Sequence, residues 1–171
     1  MLASVAAMLL IAPASHAVER ARNGFFLTGS ATRVDAGKKD YTLVHEMREI
    51  PRTKTKRGVI DADVDKRFVL RLHRDLPCAS VKSSLRDGFS RNAFANANKI
   101  SQVVDTCSGT TLKAGAQVVI AYKASTKTTT FWVEGMGRTT VVGIDFMKAV
   151  WSVWMGNVAQ PKLGESLVAR L

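Results

Sequence analysis

The chain has 171 residues, 25 Lys and Arg against 14 Asp and Glu, and a formal charge of +11. That length suits one domain with one core, and no composition shift marks a second. The apolar run over residues 2–12 is too short to cross a bilayer, and the two cysteines and three histidines lack the spacing of a zinc site, so no metal is expected.

Residues 1–17 are uncharged apart from His16, apolar over most of their length, and close on Pro13-Ala14-Ser15-His16-Ala17. An apolar core followed by a small-x-small site predicts a secretory signal peptide over 1–17, a domain over 18–171, and a periplasmic or secreted location. Every Lys, Arg, Asp and Glu lies beyond that segment, so the processed chain would keep the whole charge. In an oxidising compartment Cys78 and Cys107 form an even pair able to make one disulfide.

Residues 25–32 alternate as a strand that leads to Arg33, and Asp35-Ala36-Gly37-Lys38-Lys39 is turn material. A second strand over 41–47 puts Tyr41, Leu43, His45 and Met47 on one face. A basic loop over 52–57 precedes Gly58-Val59-Ile60-Asp61-Ala62, whose type the pattern leaves open. Phe68, Leu70 and Leu72 mark a third strand with a clearly apolar face.

The period changes at Asp75-Leu76-Pro77. Asp75 is the expected cap and Pro77 the expected first turn of a helix whose Val81, Leu85 and Phe89 recur every fourth residue. A second helix carries Ala97, Ile100, Val103 and Val104. Leu112-Lys113-Ala114-Gly115 turns the chain into strands over 117–123, 128–134 and 138–142, joined by short turns that suit antiparallel hairpins. Asp145 is then expected to cap a helix with Phe146, Ala149, Val150, Val153 and Trp154 on one face, Trp151 broadening that stripe, and Gly156 as its stop. Pro161 starts a short terminal helix. Grouped antiparallel strands and grouped helices predict an α+β domain with helices on one face of a sheet.

No nucleophile elbow, phosphate loop, His-Glu-x-x-His or dinucleotide fingerprint occurs, and Gly135-Met136-Gly137 sits between strands as a hairpin turn. The basic residues are dispersed and accompany no recognition helix or stacking aromatics, so no nucleic-acid partner is expected. A basic exported chain would still be drawn to anionic surfaces, which admits peripheral membrane contact.

Four segments together resemble the chalcone isomerase fold family, in particular its bacterial secreted branch: Asp61-Ala62-Asp63-Val64-Asp65-Lys66-Arg67-Phe68, Leu112-Lys113-Ala114-Gly115, the helix ending Trp151-Ser152-Val153-Trp154-Met155-Gly156, and Pro161-Lys162-Leu163-Gly164-Glu165-Ser166-Leu167. The resemblance implies an open-faced β-sandwich, an antiparallel sheet with helices layered on one face and a cleft between them. It also implies that Arg33, eight residues before the aromatic Tyr41, contacts an oxyanion, and that no cofactor is needed. From the residues alone, Arg33 stands where its guanidinium can face a pocket or pair with Asp35 or Asp40; a fixed fork of donors suits a phenolate, carboxylate or enolate.

Tyr41 joins Arg33 as a catalytic candidate, and Tyr41, His45 and Tyr122 join it as ligand-binding candidates, since each combines an apolar body with a polar tip. Trp151, Trp154, Phe146 and Met147 are core residues by their spacing, with a cleft wall as the alternative. The family's other catalytic groups are not matched: Tyr41 stands in the place of a threonine, and Pro77 and Ser84 fall where a tyrosine and an asparagine would. The expectation is therefore a monomeric, exported, non-catalytic binder of a small lipophilic or phenolic ligand such as a fatty acid. The alternatives are an intramolecular lyase of the chalcone isomerase type and an envelope-interaction protein acting through its basic face.

Overall fold

The computed structural model describes residues 23–171, and the signal peptide expected over 1–17 lies outside them. The chain runs β1 (Phe26–Asp35), β2 (Lys38–Met47), α1 (Lys56–Asp61), β3 (Lys66–Leu72), β4 (Leu76–Pro77), α2 (Cys78–Arg91), α3 (Ala97–Val104), β5 (Thr111–Leu112), β6 (Gln117–Lys123), β7 (Thr128–Val133), β8 (Gly137–Val142), α4 (Ile144–Met155) and α5 (Pro161–Ser166). Six strands form one open sheet in the order β1-β2-β3-β6-β7-β8, and every neighbouring pair is antiparallel. This is the expected α+β architecture.

Alternation sets the faces of the sheet. Leu43, Phe68, Leu70, Ile120, Phe131 and Val133 point inward and are buried, whereas Val44, Val69 and Val119 on the opposite face are only partly covered. Cross-strand registry aligns the inward residues in rows, one running His45, Phe68, Ile120, Phe131. Against them α4 buries Phe146, Met147, Val150 and Trp151, each at most 0% exposed, which accounts for the breadth of its apolar stripe.

Two local expectations are corrected, and one segment left open is decided. Asp75 does not cap α2: Leu76–Pro77 is held extended by pairing with Thr111–Leu112, so the helix starts at Cys78 without a side-chain cap. The Asp75 carboxylate instead accepts from the Ala114 amide at 2.8 Å and the Lys113 ammonium at 2.9 Å, fixing the turn into β6. Asp145 lies inside the first turn of α4, near the positive end of the helix, while Gly143 takes the cap position with φ of 128°, a value that only glycine adopts without strain. The undecided segment after the basic loop is α1, capped by Thr55, whose hydroxyl accepts from the Gly58 amide.

Cys78 and Cys107 form a disulfide with a Cα–Cα distance of 5.7 Å, joining the start of α2 to the chain just beyond α3.

Candidate functional site

The hairpin of β1 and β2 turns at Ala36-Gly37, both with positive φ. Antiparallel registry then brings Arg33 directly opposite Tyr41, so eight positions in sequence become adjacent side chains on one face. Between these partners the register slips: Val34 faces Lys39 and Arg33 faces Tyr41, which leaves Asp40 as the extra residue of a β-bulge. A bulge lets consecutive residues point the same way, and both Asp40 and Tyr41 line the same cavity.

That cavity has a volume of about 430 Å³ and lies between the inner face of the sheet and the helices. Its floor is Leu70, Val118, Ile120, Phe131 and Val133 from β3, β6 and β7; its roof includes Val81 and Leu85 of α2 and Val153 and Trp154 of α4. From Tyr41 on β2 to Val133 on β7 is three strand spacings, about 14 Å. The roof is closely packed where α2 meets α4 because Gly88 has no side chain: a Cβ there would stand 2.7 Å from Val153 Cγ1. At the β1 end the apolar lining gives way to Arg33, Asp40 and Arg74, and the two arginines are about one-third exposed, so this end meets solvent.

The polar end is organised around Tyr41 and Asp40. The Tyr41 oxygen accepts a hydrogen bond from Trp154 Nε1 at 3.0 Å, and the Arg33 guanidinium lies close enough to favour the phenolate. Burial outweighs both and pushes the phenol above its ordinary value, so it keeps its proton. Since its oxygen is already an acceptor and no described residue accepts that proton, the hydroxyl is a free donor at the cavity surface. Asp40, buried to 6% exposure, takes Arg74 Nη2 at 2.6 Å and Nε at 2.8 Å on Oδ1, and Arg33 Nε at 3.7 Å from Oδ2. Arg33 therefore satisfies both of its sequence readings, pairing with Asp40 and facing a pocket. Arg74, which follows β3, carries no pattern that would single it out in sequence.

The fold separates the remaining candidates from the cavity. His45, four residues along β2 from Tyr41, is fully buried: Trp151 Nε1 donates to its Nε2 at 2.8 Å, so its proton is on Nδ1 and goes to Thr28 Oγ1 at 2.5 Å. Thr28 in turn donates to the carbonyl of Leu167 at 2.8 Å. This relay ties α4, β2, β1 and the C-terminal segment together. Burial, with the charge of Lys66 as the lesser cause, holds the imidazole well below its usual value and therefore neutral. Tyr122 donates to Asp63 Oδ1 at 2.7 Å, and burial followed by that carboxylate raises its pKa. Neither lines the cavity, and the expectation that they bind its ligand has no geometric support.

Beneath Trp151 lies Lys66, 0% exposed, with its ammonium 4.9 Å from the indole ring. It donates to the carbonyls of Val59, Ile60 and Ala62 at 2.6, 3.1 and 2.8 Å, closing the end of α1. Burial lowers it to about 7 against the opposing pull of Asp61 and Asp63. Of the aromatic and Met residues on α4, only Trp154 walls the cavity; Trp151, Phe146 and Met147 are core. Among the described residues no group of three or more His, Cys, Asp or Glu is placed to hold a metal ion.

An open antiparallel sheet roofed by helices, enclosing an apolar cavity with a cationic end, defines an α+β domain of the open-faced sandwich kind. The chain belongs to the chalcone isomerase-like family, which it matches over residues 13–168. A fatty-acid binding protein of Arabidopsis thaliana has a similar fold, with a TM-score of 0.66 over 93% of this chain and 95% of that one, at 10% sequence identity. No curated protein matches the chain in sequence.

Proposed function

We propose that this protein binds a small lipophilic anion, such as a fatty acid or a phenolic acid, without transforming it, holding the charged group on Arg33 and Tyr41. The observation that carries this reading is the convergence of a guanidinium and a free phenolic donor at the solvent end of an apolar cavity. Such a site stabilises one negative charge by two donors and leaves the tail among Leu, Val, Ile and Phe side chains. The structural likeness to a fatty-acid binding protein supports the same ligand class.

The lining also argues against ring closure of a chalcone. Pro77 and Ser84, which the family resemblance sets in the places of a tyrosine and an asparagine, do line the cavity. Proline has no donor and the serine hydroxyl is short, so the ketone and attacking oxygen lack their positioning groups. We further read the chain as an exported monomer; the Cys78–Cys107 bond supports export because such bonds persist in oxidising compartments.

Native mass spectrometry of protein purified from cells, followed by titration with laurate, tests the reading. A one-to-one complex is expected, weakened at least tenfold by Arg33→Ala. Absence of binding to fatty acids and phenolic acids alike refutes it, and chalcone loss above the spontaneous rate replaces it with the isomerase.

A further inference from the structure

Asp40 is placed by a bulge at the one point where it meets both guanidinium groups of the cavity's polar end. In an unbroken strand, neighbouring residues point to opposite faces, and Asp40 would face away from Tyr41. The register slip between Arg33 and Val34 turns it inward instead. The carboxylate is 9% exposed, whereas the arginines it contacts are 32% and 39% exposed, so the least solvated charge at this end is the negative one.

Two guanidinium groups on one carboxylate leave a net charge of +1 at the place where a ligand's headgroup would sit. The other charges on the cavity wall alter this little. Asp87 and Arg91 are one turn apart on α2 and oppose each other, and Asp35 is exposed at the hairpin turn, where water screens it. Asp40 binds Arg74 through two short contacts, from Nη2 at 2.6 Å and Nε at 2.8 Å, but meets Arg33 only at 3.7 Å, which leaves most of the Arg33 donors for a ligand.

We propose that Asp40 is an internal counter-ion that sets the valence of the ligand, so that the site selects a single carboxylate over a dianionic phosphate monoester on the same tail. This rests on the reading of the cavity as a lipophilic-anion site. One negative charge neutralises the pair of arginines and their aspartate. A second would face Asp40 across the same two guanidinium groups with no cation left to meet it. A carboxylate also matches the planar fork that Arg33 presents, with the Tyr41 hydroxyl as the third donor.

The test is calorimetric titration of wild type, Asp40→Asn and Arg74→Gln with laurate and with lauryl phosphate below their critical micelle concentrations. At about pH 8 the phosphate, with a second pKa of roughly 6, is dianionic. Wild type is expected to favour laurate about tenfold, the effect of one partly screened unit charge at close range. Asp40→Asn raises the local charge to +2 and is expected to move the ratio about tenfold toward the phosphate; Arg74→Gln lowers it to zero and is expected to move the ratio the other way. Circular dichroism confirms that each variant is folded, and if Asp40→Asn is not, the opposite shift in Arg74→Gln still decides. A ratio unchanged in the folded variants, or equal wild-type affinity for both ligands, overturns the proposal while leaving the binding site intact. No binding of either ligand to wild type overturns the site and the proposal together.

Discussion

Replacing Tyr41 by Phe removes one atom that has two separate duties. In the fold, the hydroxyl oxygen accepts the indole N–H of Trp154 at 3.0 Å, and Trp154 is only 6% exposed. Losing the acceptor strands a buried donor, which costs about 1 to 3 kcal/mol. In the proposed ligand complex the hydroxyl proton would be one of the donors to the headgroup, and a hydrogen bond to a charged acceptor contributes about 1.5 to 3 kcal/mol, or roughly ten- to hundredfold in Kd. Urea unfolding gives the first quantity and calorimetric titration with laurate the second. The two duties separate in the double variant Tyr41→Phe, Trp154→Phe, where no indole donor remains: its loss of stability should be smaller than the sum of the two single losses, and affinity should not recover. If Tyr41→Phe binds laurate as tightly as wild type, the hydroxyl does not serve the ligand. If the double variant is less stable than the sum of the single ones, the stranded indole is not the source of the instability.

The buried bases give a pH dependence. His45 is neutral in the fold, so below about 6.5 the unfolded chain takes up a proton that the folded chain refuses, and stability falls with pH; His45→Gln should flatten that limb of a urea-melt series. Lys66, at about 7 in the fold and 10.5 when exposed, binds a proton only in the unfolded chain between those values. Stability should therefore rise from pH 7.5 to 9.5 by at most about 1.4 kcal/mol per unit, a slope absent in Lys66→Met. Reduction of Cys78–Cys107, separated by 29 positions, should lower stability by about 3 to 4 kcal/mol, measured by melts with and without reductant; a loss below about 1 kcal/mol would mean the reduced, unfolded chain is already constrained. Gly29→Ala sets a Cβ 2.1 Å from the carbonyl oxygen of Ser166, a backbone atom that cannot rotate away, and should cost about 1 to 3 kcal/mol or more. Gly88→Ala meets only the Val153 side chain and should cost less, and a reversed order in thermal melts would refute the close approach of β1 and the segment after α5.

The strands and the large helices were legible because they repeat a period. Phe68, Leu70 and Leu72 alternate, and Phe146, Ala149, Val150, Val153 and Trp154 follow a helical face; each pattern states which side must be buried before any partner is known. The helix starts were less legible. Asp75 and Asp145 both resemble caps, yet strand pairing of Leu76–Pro77 and the positive φ of Gly143 fixed the starts instead, through residues distant in sequence or a backbone angle that composition does not reveal. The two-residue sheet of β4 and β5 had no signal at all, being too short for any period.

The site divides in the same way. The sequence by itself put Arg33 and Tyr41 eight positions apart across turn residues, and a hairpin makes such positions neighbours, so that pair was determined locally. His45 and Tyr122 looked equivalent to Tyr41 because all three are amphipathic strand residues. Only the tertiary structure separated them, because what lies above a sheet position is decided by the helix packed there: Trp151 and Thr28 enclose His45, Asp63 takes Tyr122, and the gap beneath α2 is left to Tyr41. The tertiary structure alone also turned Asp40 inward through a one-residue slip in strand register and brought Arg74 to it from 34 positions away. A slip of that kind changes which face a charge occupies without changing any residue, and so composition and periodicity do not record it.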